Sequence, residues 1–228
     1  MKKMVKEEKA KKALKECIIC LSGIDGTGKT TLAKKLVDEL SSSGIKCKYV
    51  WFRNARFLCL PFLAFCYLTG YAKSIKLQNV RVGEYYFYKN KFIAFLWLWL
   101  LTFDMLFLSL WKVFLPLKRG YTLVVDRYIL DATTDMMCNT RTNNPHALPI
   151  KLLFKFMPEN TLNILLDSDE EKAFQRKSDI LSLKYLKERR KVYLKLAQEF
   201  KVPVINADQP LNAVWESIVG FCRNKGIL

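Results

Sequence analysis

Residues 23–30, Gly-Ile-Asp-Gly-Thr-Gly-Lys-Thr, decide the fold of this 228-residue chain. They fit the pattern Gly-x-x-x-x-Gly-Lys-Ser/Thr at every fixed position. The apolar run 17–21 precedes them and a helix-period segment begins at Thr30, which predicts a strand, a loop and a helix in that order. In this context the loop N–H groups converge on one concavity at the positive end of the helix dipole. A phosphate-binding loop is therefore favoured over an ordinary glycine-rich turn with a capping lysine.

Further along the chain, apolar runs and helix-period segments alternate. Strands are predicted over 46–52, 123–125, 162–166 and 202–205, and helices follow the later strands. This order is typical of an α/β protein with a parallel sheet covered on both faces. The segment 57–118 has helical composition, with breaks near Gly70 and Gly83. Residues 1–16 mix Lys and Glu, and we expect a charged tail or helix there, ahead of one domain over 17–228.

The composition excludes several classes of protein. Hydrophobic residues make up 51% of the chain and charged residues 26%, which rules out a long disordered or collagen-like chain. The formal net charge of +17 favours phosphate-bearing ligands. Seven cysteines and no secretory signal predict reduced thiols and a cytoplasmic protein. Cys17 and Cys20 have the CxxC spacing, but in a strand they point to opposite faces, which argues against a redox site.

The segment 92–111 contains one charged residue, Asp104, and is long enough to span a bilayer. A single span would place the strands before and after it on opposite sides of the membrane, where they could not share a sheet. We therefore expect a helix buried by the sheet and a dimer partner. The alternative is a membrane-surface contact through the 92–111 helix, because three tryptophans and flanking lysines are typical of an interfacial anchor.

Asp126 and Arg127 follow the predicted strand 123–125 directly. The carboxyl ends of parallel strands meet at one edge of a sheet, so Asp126 is expected beside the phosphate loop. The Thr30 hydroxyl and the Asp126 carboxylate are hard oxygen ligands suited to Mg²⁺. Arg127 is suited to bidentate binding of a second phosphate group.

These motifs together resemble the thymidylate kinase family of nucleoside monophosphate kinases. The resemblance covers about residues 17–218 and rests on five segments in order: 23–31, 125–128, 165–169, 189–197 and 204–207. It implies a P-loop NTPase fold of three αβα layers with a five-stranded parallel sheet. It also implies a homodimer built from long helices.

The resemblance further implies a reaction, in which the ATP γ-phosphoryl group passes to a nucleoside monophosphate, dTMP to dTDP, with Mg²⁺. The implied catalytic residues are Lys29, Asp126, Arg127 and Arg176. The implied ATP-binding residues are Gly23, Asp25, Gly26, Thr27, Gly28, Lys29, Thr30 and Thr31. Asp25, Arg53 and Arg127 would bind the acceptor, and Thr30 and Asp126 would bind Mg²⁺.

Two departures from the family pattern concern the acceptor. Met105 stands where the family has an arginine that contacts the base, and residues 54–57 replace a proline-glycine turn. One alternative is therefore a P-loop kinase for another nucleotide, or for a lipid-linked or sugar phosphate. A second alternative is a non-catalytic, nucleotide-dependent module that binds nucleic acid or an anionic membrane. Nucleic acid is disfavoured, because the sequence lacks the aromatic and basic interleaving of known nucleic-acid modules.

Overall fold

A computed structural model describes residues 17–52, 57–77, 80–177 and 179–228. The predicted tail 1–16 and Arg53 lie outside the described residues. The strands are β1 (Ile18–Ser22), β2 (Cys47–Trp51), β3 (Ala72–Leu77), β4 (Val80–Tyr85), β5 (Thr122–Asp126), β6 (Thr161–Asp167) and β7 (Val204–Asn206). The α-helices are α1 (Lys29–Ser42), α2 (Cys59–Leu68), α3 (Lys91–Ser109), α4 (Leu115–Lys118), α5 (Ile129–Thr140), α6 (Leu148–Lys155), α7 (Glu170–Gln175), α8 (Leu183–Glu199) and α9 (Leu211–Asn224).

Five strands form one parallel sheet in the order β2-β5-β1-β6-β7. β1 and β5 lie inside it, and every residue of both strands is buried, which explains their continuous apolar runs. The predicted α/β fold with a five-stranded parallel sheet is therefore confirmed. In this register Asp126 lies beside Leu21, so the end of β5 reaches the start of the glycine-rich loop.

Two apolar clusters cover the two faces of the sheet and give the three αβα layers. One contains Ile18 and Cys20 of β1, and the other contains Cys17 and Ile19. Successive side chains of a strand alternate between faces, which assigns the two cysteines to different layers. Both side chains are buried.

The prediction of helical structure over 57–118, with breaks near Gly70 and Gly83, is wrong for the part between and around these breaks. β3 and β4 pair there as an antiparallel hairpin, followed by a 3₁₀ turn over Phe87–Lys89. Ile75, exposed Lys76 and Leu77 alternate with the period of a strand, but the run is short. Strand formation here depends on pairing with a second segment, a tertiary contact that local composition does not reveal.

Helix α3 continues through a π-helical turn (Leu110–Phe114) into α4, and together they form a helix of 28 residues whose most apolar 18-residue stretch has a mean hydropathy of 2.0. It is the one helix of the described ranges long and apolar enough to cross a membrane, a weak criterion that core helices also meet. Within this chain one face of α3 is buried, including Trp97, Leu101 and Met105. The opposite face is exposed, so the chain alone does not bury the helix all round.

Candidate active site at the carboxyl edge of the sheet

The glycine-rich loop connects the buried strand β1 to helix α1. Gly26 has φ +92°, and a methyl group on its Cα would meet the carbonyl oxygen of Ala173 in α7. Glycine is therefore required both for the backbone conformation and for the close approach of α7. Gly28 lies at the N-cap of α1 in the left-handed region, which directs the loop into the first turn of the helix.

Lys29 is folded into this loop and is 4% exposed. Its Nζ donates to the carbonyl oxygen of Ile24 at 2.6 Å and to Thr27 Oγ1 at 3.2 Å. Burial, helped by the nearby Arg127 charge, lowers the pKa of Lys29 to about 8. A phosphate bound beside Lys29 would place negative charge next to its ammonium group and favour the charged form. The position therefore suits a phosphate ligand.

Thr30 and Asp126 meet at the mouth of the loop. Thr30 Oγ1 donates to Asp126 Oδ2 at 2.5 Å, and the Tyr49 hydroxyl donates to the same oxygen at 2.9 Å. Asp126 is fully buried, and its Oδ1 atom has no hydrogen-bond partner among the described residues. An orphaned buried carboxylate oxygen beside a threonine hydroxyl fits Mg²⁺, which uses few protein ligands and completes its shell with phosphate and water. These two residues would hold the ion.

Arg127 adopts φ +66°, an unusual conformation for a residue other than glycine. Its N–H donates to the carbonyl oxygen of Leu21 at 3.1 Å, which fixes the backbone against β1. The guanidinium pairs with Asp25 of the loop, and Nη1 lies 3.7 Å from Asp131 Oδ1. The structure therefore brings Arg127 and Asp25, both predicted as acceptor ligands, into direct contact.

Asp131 was not predicted, and its carboxylate contacts residues of several elements next to Arg127. Its carboxylate accepts from Ser22 Oγ at 2.6 Å and from the Tyr193 hydroxyl at 2.7 Å. Burial raises its pKa, although the Arg127 charge opposes this effect. Asp131 also accepts from the N–H of Tyr128, the N-cap residue of α5. The sequence has no serine or threonine at this N-cap, so no capping-box pattern identified Asp131 in advance.

A cavity of about 500 Å³ opens beside Arg127 and Asp25. The hairpin forms part of its wall through residues 81–85, and Trp97 and Met105 of α3 also line it. Met105, at the position where the resemblance places a base-contacting arginine, is 2% exposed. The wall is thus apolar and aromatic at this point. The hairpin contribution was missed because the segment was predicted to be helical.

Three further arginines line this cavity, and one of them is Arg81 of the hairpin. Arg141 follows α5, and its guanidinium carbon lies 3.6 Å from the ring centroid of Tyr88. Arg189 of α8 pairs with Asp135, and its Nε has no hydrogen-bond partner among the described residues. Acidic and basic groups therefore surround an aromatic interior, a combination that suits a ligand with a ring and an anionic group.

Lys177 lies near Asp25 of the phosphate loop, whereas Arg176 lies near Asp208. Lys177 Nζ lies 3.6 Å from Asp25 Oδ1. Arg176 Nη2 lies 3.4 Å from Asp208 Oδ1, next to the end of β7, and its side chain is 42% exposed. Thr31 is exposed on α1. The predicted role of Arg176 at the transferring phosphoryl group stays a prediction, and so do the roles of Thr31 and Arg53.

One comparison with known proteins supports a nucleotide kinase-like class. The chain is 26% identical over 215 residues to a probable thymidylate kinase of Archaeoglobus fulgidus, a match that covers 88% of this chain and 92% of that protein. A family model described as Nephrocystin 3, N-terminal, matches residues 2–57, less than half of the chain. The first match, with the parallel sheet, supports a distant thymidylate kinase-like relationship.

Proposed function

We propose that this protein is an ATP-dependent nucleoside monophosphate kinase. The observation that carries the proposal is the convergence of a phosphate loop, the Thr30–Asp126 pair and Arg127 at one sheet edge, next to a cavity. The loop would bind ATP, and the cavity would bind the acceptor. The 26% identity to a probable thymidylate kinase supports the same class.

The proposed reaction makes one bond and breaks one bond. An ionised oxygen of the acceptor phosphate attacks the γ-phosphorus of ATP, the bond to the β,γ-bridging oxygen breaks, and ADP leaves. Because the acceptor oxygen is already ionised, no general base is required. Lys29 and the loop N–H groups would neutralise the donor phosphates, and Arg127 would orient the acceptor phosphate. Mg²⁺, when bound, would supply positive charge to the donor phosphates.

Thymidine monophosphate is the acceptor that the distant relationship favours. A second candidate acceptor, another nucleotide or a different phosphate ester, is favoured by buried Met105 in the cavity wall. Methionine cannot donate a hydrogen bond to a base oxygen, whereas an arginine can. Tyr85 of the hairpin and Trp97 would instead recognise an acceptor through ring contacts.

A panel of phosphate acceptors, assayed with ATP and Mg²⁺, tests this proposal. We expect ADP formation with nucleoside monophosphates, and loss of turnover by about a hundredfold or more in Lys29→Ala. Arg127→Ala should chiefly weaken acceptor binding and transfer. Unchanged turnover in Lys29→Ala would contradict the assignment of the loop. Nucleotide binding without transfer to any acceptor would instead favour a non-catalytic binding module.

A further inference from the structure

A large apolar patch lies on the molecule away from the phosphate loop, and the proposed kinase reaction leaves it unused. Seven large apolar side chains, each between 42% and 68% exposed, belong to it: Phe57, Leu58, Phe103, Phe107, Leu110, Trp111 and Phe156. All of them except Trp111 line a groove of about 480 Å³. Exposed patches of this kind mark contact sites with a protein or a membrane.

A buried carboxylate holds together two of the elements that form this patch. Asp104 is fully buried on α3 and accepts hydrogen bonds from the backbone N–H groups of Phe57, Leu58 and Cys59, at 2.6–3.0 Å. It thereby holds the start of α2 against α3, and the Phe57 ring stacks on Phe107 with centroids 6.2 Å apart. These two elements present their apolar side chains together because a satisfied polar contact fixes them.

The charge around the patch is mostly positive. The segment 57–120 contains eight Lys and Arg residues but only two acidic residues, Glu84 and the buried Asp104. Exposed basic residues stand at both ends of the long helix: Lys89, Lys91, Lys112, Lys118 and Arg119. Lys155 is exposed next to Phe156 of the patch. An apolar face with aromatic residues and a basic border is complementary to an anionic lipid surface.

The same charges disfavour a second copy of this chain as the occupant. Both ends of the helix are basic, so parallel and antiparallel pairing of two copies would each bring lysines next to lysines. Like charges held together in this way oppose association. The helix also cannot span the bilayer as an isolated segment, because its other face packs into the core through Trp97 and Met105.

We propose that this patch seats the protein on an anionic membrane surface, with the aromatic side chains in the interface and the lysines at the lipid headgroups. The contact is peripheral and leaves the sheet intact. This inference goes beyond the proposed kinase activity and does not depend on it, because that activity is measured without membranes.

Vesicle sedimentation with the full-length chain tests the inference. Vesicles of phosphatidylcholine alone are compared with vesicles that also contain phosphatidylglycerol. We expect binding to the second kind at low ionic strength, and a loss of affinity of about threefold to tenfold in Leu110→Gln. The matched control is Leu211→Gln on α9, which is similarly exposed, at 51% against 57% for Leu110, but lies on the other layer. It should bind like the wild type.

Three results would overturn the inference. The first is no sedimentation of the folded protein with phosphatidylglycerol vesicles. The second is equal binding by Leu110→Gln and Leu211→Gln, because charge alone would then explain the attraction. The third is a wild-type dimer that Leu110→Gln converts to monomer, without any vesicle binding, since a second copy would then cover the patch. Circular dichroism and urea unfolding of both variants confirm that each is folded.

Discussion

Asp126 is fully buried and keeps one carboxylate oxygen without a hydrogen-bond partner among the described residues. Such an oxygen costs free energy unless a ligand satisfies it, and Thr30 beside it indicates a cation. We predict that Asp126→Asn lowers kcat by about a hundredfold or more and raises the Mg²⁺ concentration needed for half-maximal activity. The amide keeps the shape of the side chain but loses its charge. Steady-state kinetics across a Mg²⁺ titration measures both effects.

Tyr49→Phe is the control for this prediction. It removes the 2.9 Å hydrogen bond to Asp126 but keeps the carboxylate charge. Its Mg²⁺ dependence should therefore remain close to that of the wild type. An Asp126→Asn enzyme with wild-type kcat and Mg²⁺ dependence would show that this carboxylate binds no metal.

Gly26 and Gly44 allow backbone strain to be separated from steric contact. Both have positive φ, +92° and +76°, but a methyl group would meet Ala173 only at Gly26 and has open space at Gly44. We predict that Gly44→Ala costs about 1 kcal/mol of stability and leaves nucleotide affinity unchanged. Gly26→Ala should cost more stability and weaken ATP binding, because α7 must move away from the loop.

Urea unfolding gives the free energy of unfolding for each variant, and nucleotide titration gives the affinity. Equal losses of stability in the two variants, with ATP affinity retained in Gly26→Ala, would show that α7 moves away from the loop without a further loss of free energy. The packing of α7 on the loop would then have no role in binding the nucleotide.

At the residue scale, the sequence was informative where a motif fixes both spacing and backbone. Lys29 and Thr30 follow from the loop pattern, and Asp126 follows because it ends a strand next to that loop. The contacts of Arg176 and of its neighbour Lys177 could not be predicted in this way. Both follow a short helix, and their directions depend on Asp208 and Asp25, which tertiary structure brings near them.

At the scale of elements, the strands of the sheet were predictable because burial on both faces produces continuous apolar runs. β1 and β5 are buried throughout. The hairpin was not predictable, because its strands are stabilised by pairing with each other and by packing on Tyr67, Phe87 and Trp97. The hairpin wall of the cavity beside Arg127 was missed for the same reason.

Helix α7 is tied to its neighbours by ion pairs of Arg190. Arg190 makes two hydrogen bonds to Asp167, at 2.8 and 2.9 Å, and one to Glu170, at 2.5 Å. The hydrogen bond from Arg190 lowers the pKa of Glu170. A carboxyl group with a lowered pKa in the folded state stabilises the fold at neutral pH, and this contribution is lost as the pH falls through that pKa.

We therefore predict that Glu170→Gln reduces the free energy of unfolding by about 0.5–1 kcal/mol at neutral pH, a small value because the pair is partly exposed. The difference from the wild type should disappear in acid. Urea unfolding at several pH values measures it. Glu171→Gln is the matched control, because Glu171 lies 3.9 Å from Lys187 and its side chain is 67% exposed. An equal loss in both variants, or a difference that persists in acid, would contradict the prediction.

At the scale of the whole molecule, the positive charge of the chain acts on ligands that approach the site at the sheet edge. The net charge is +17, and nucleotides are anions, so the field should raise their concentration near the protein. Salt screens this long-range attraction over about 10 Å at 0.1 M ionic strength, whereas contacts inside the buried site are screened much less.

We predict that added salt raises the KM for ATP several-fold and leaves kcat nearly unchanged, because encounter is screened while the contacts of Lys29 and Arg127 are not. Initial rates across a KCl series measure both constants. Lys191→Glu and Lys191→Arg form a matched pair at an exposed position of α8. Only the glutamate should raise the KM at low salt, and the two variants should converge at high salt. If kcat fell with salt while KM stayed constant, the charge would act on the chemical step and not on encounter.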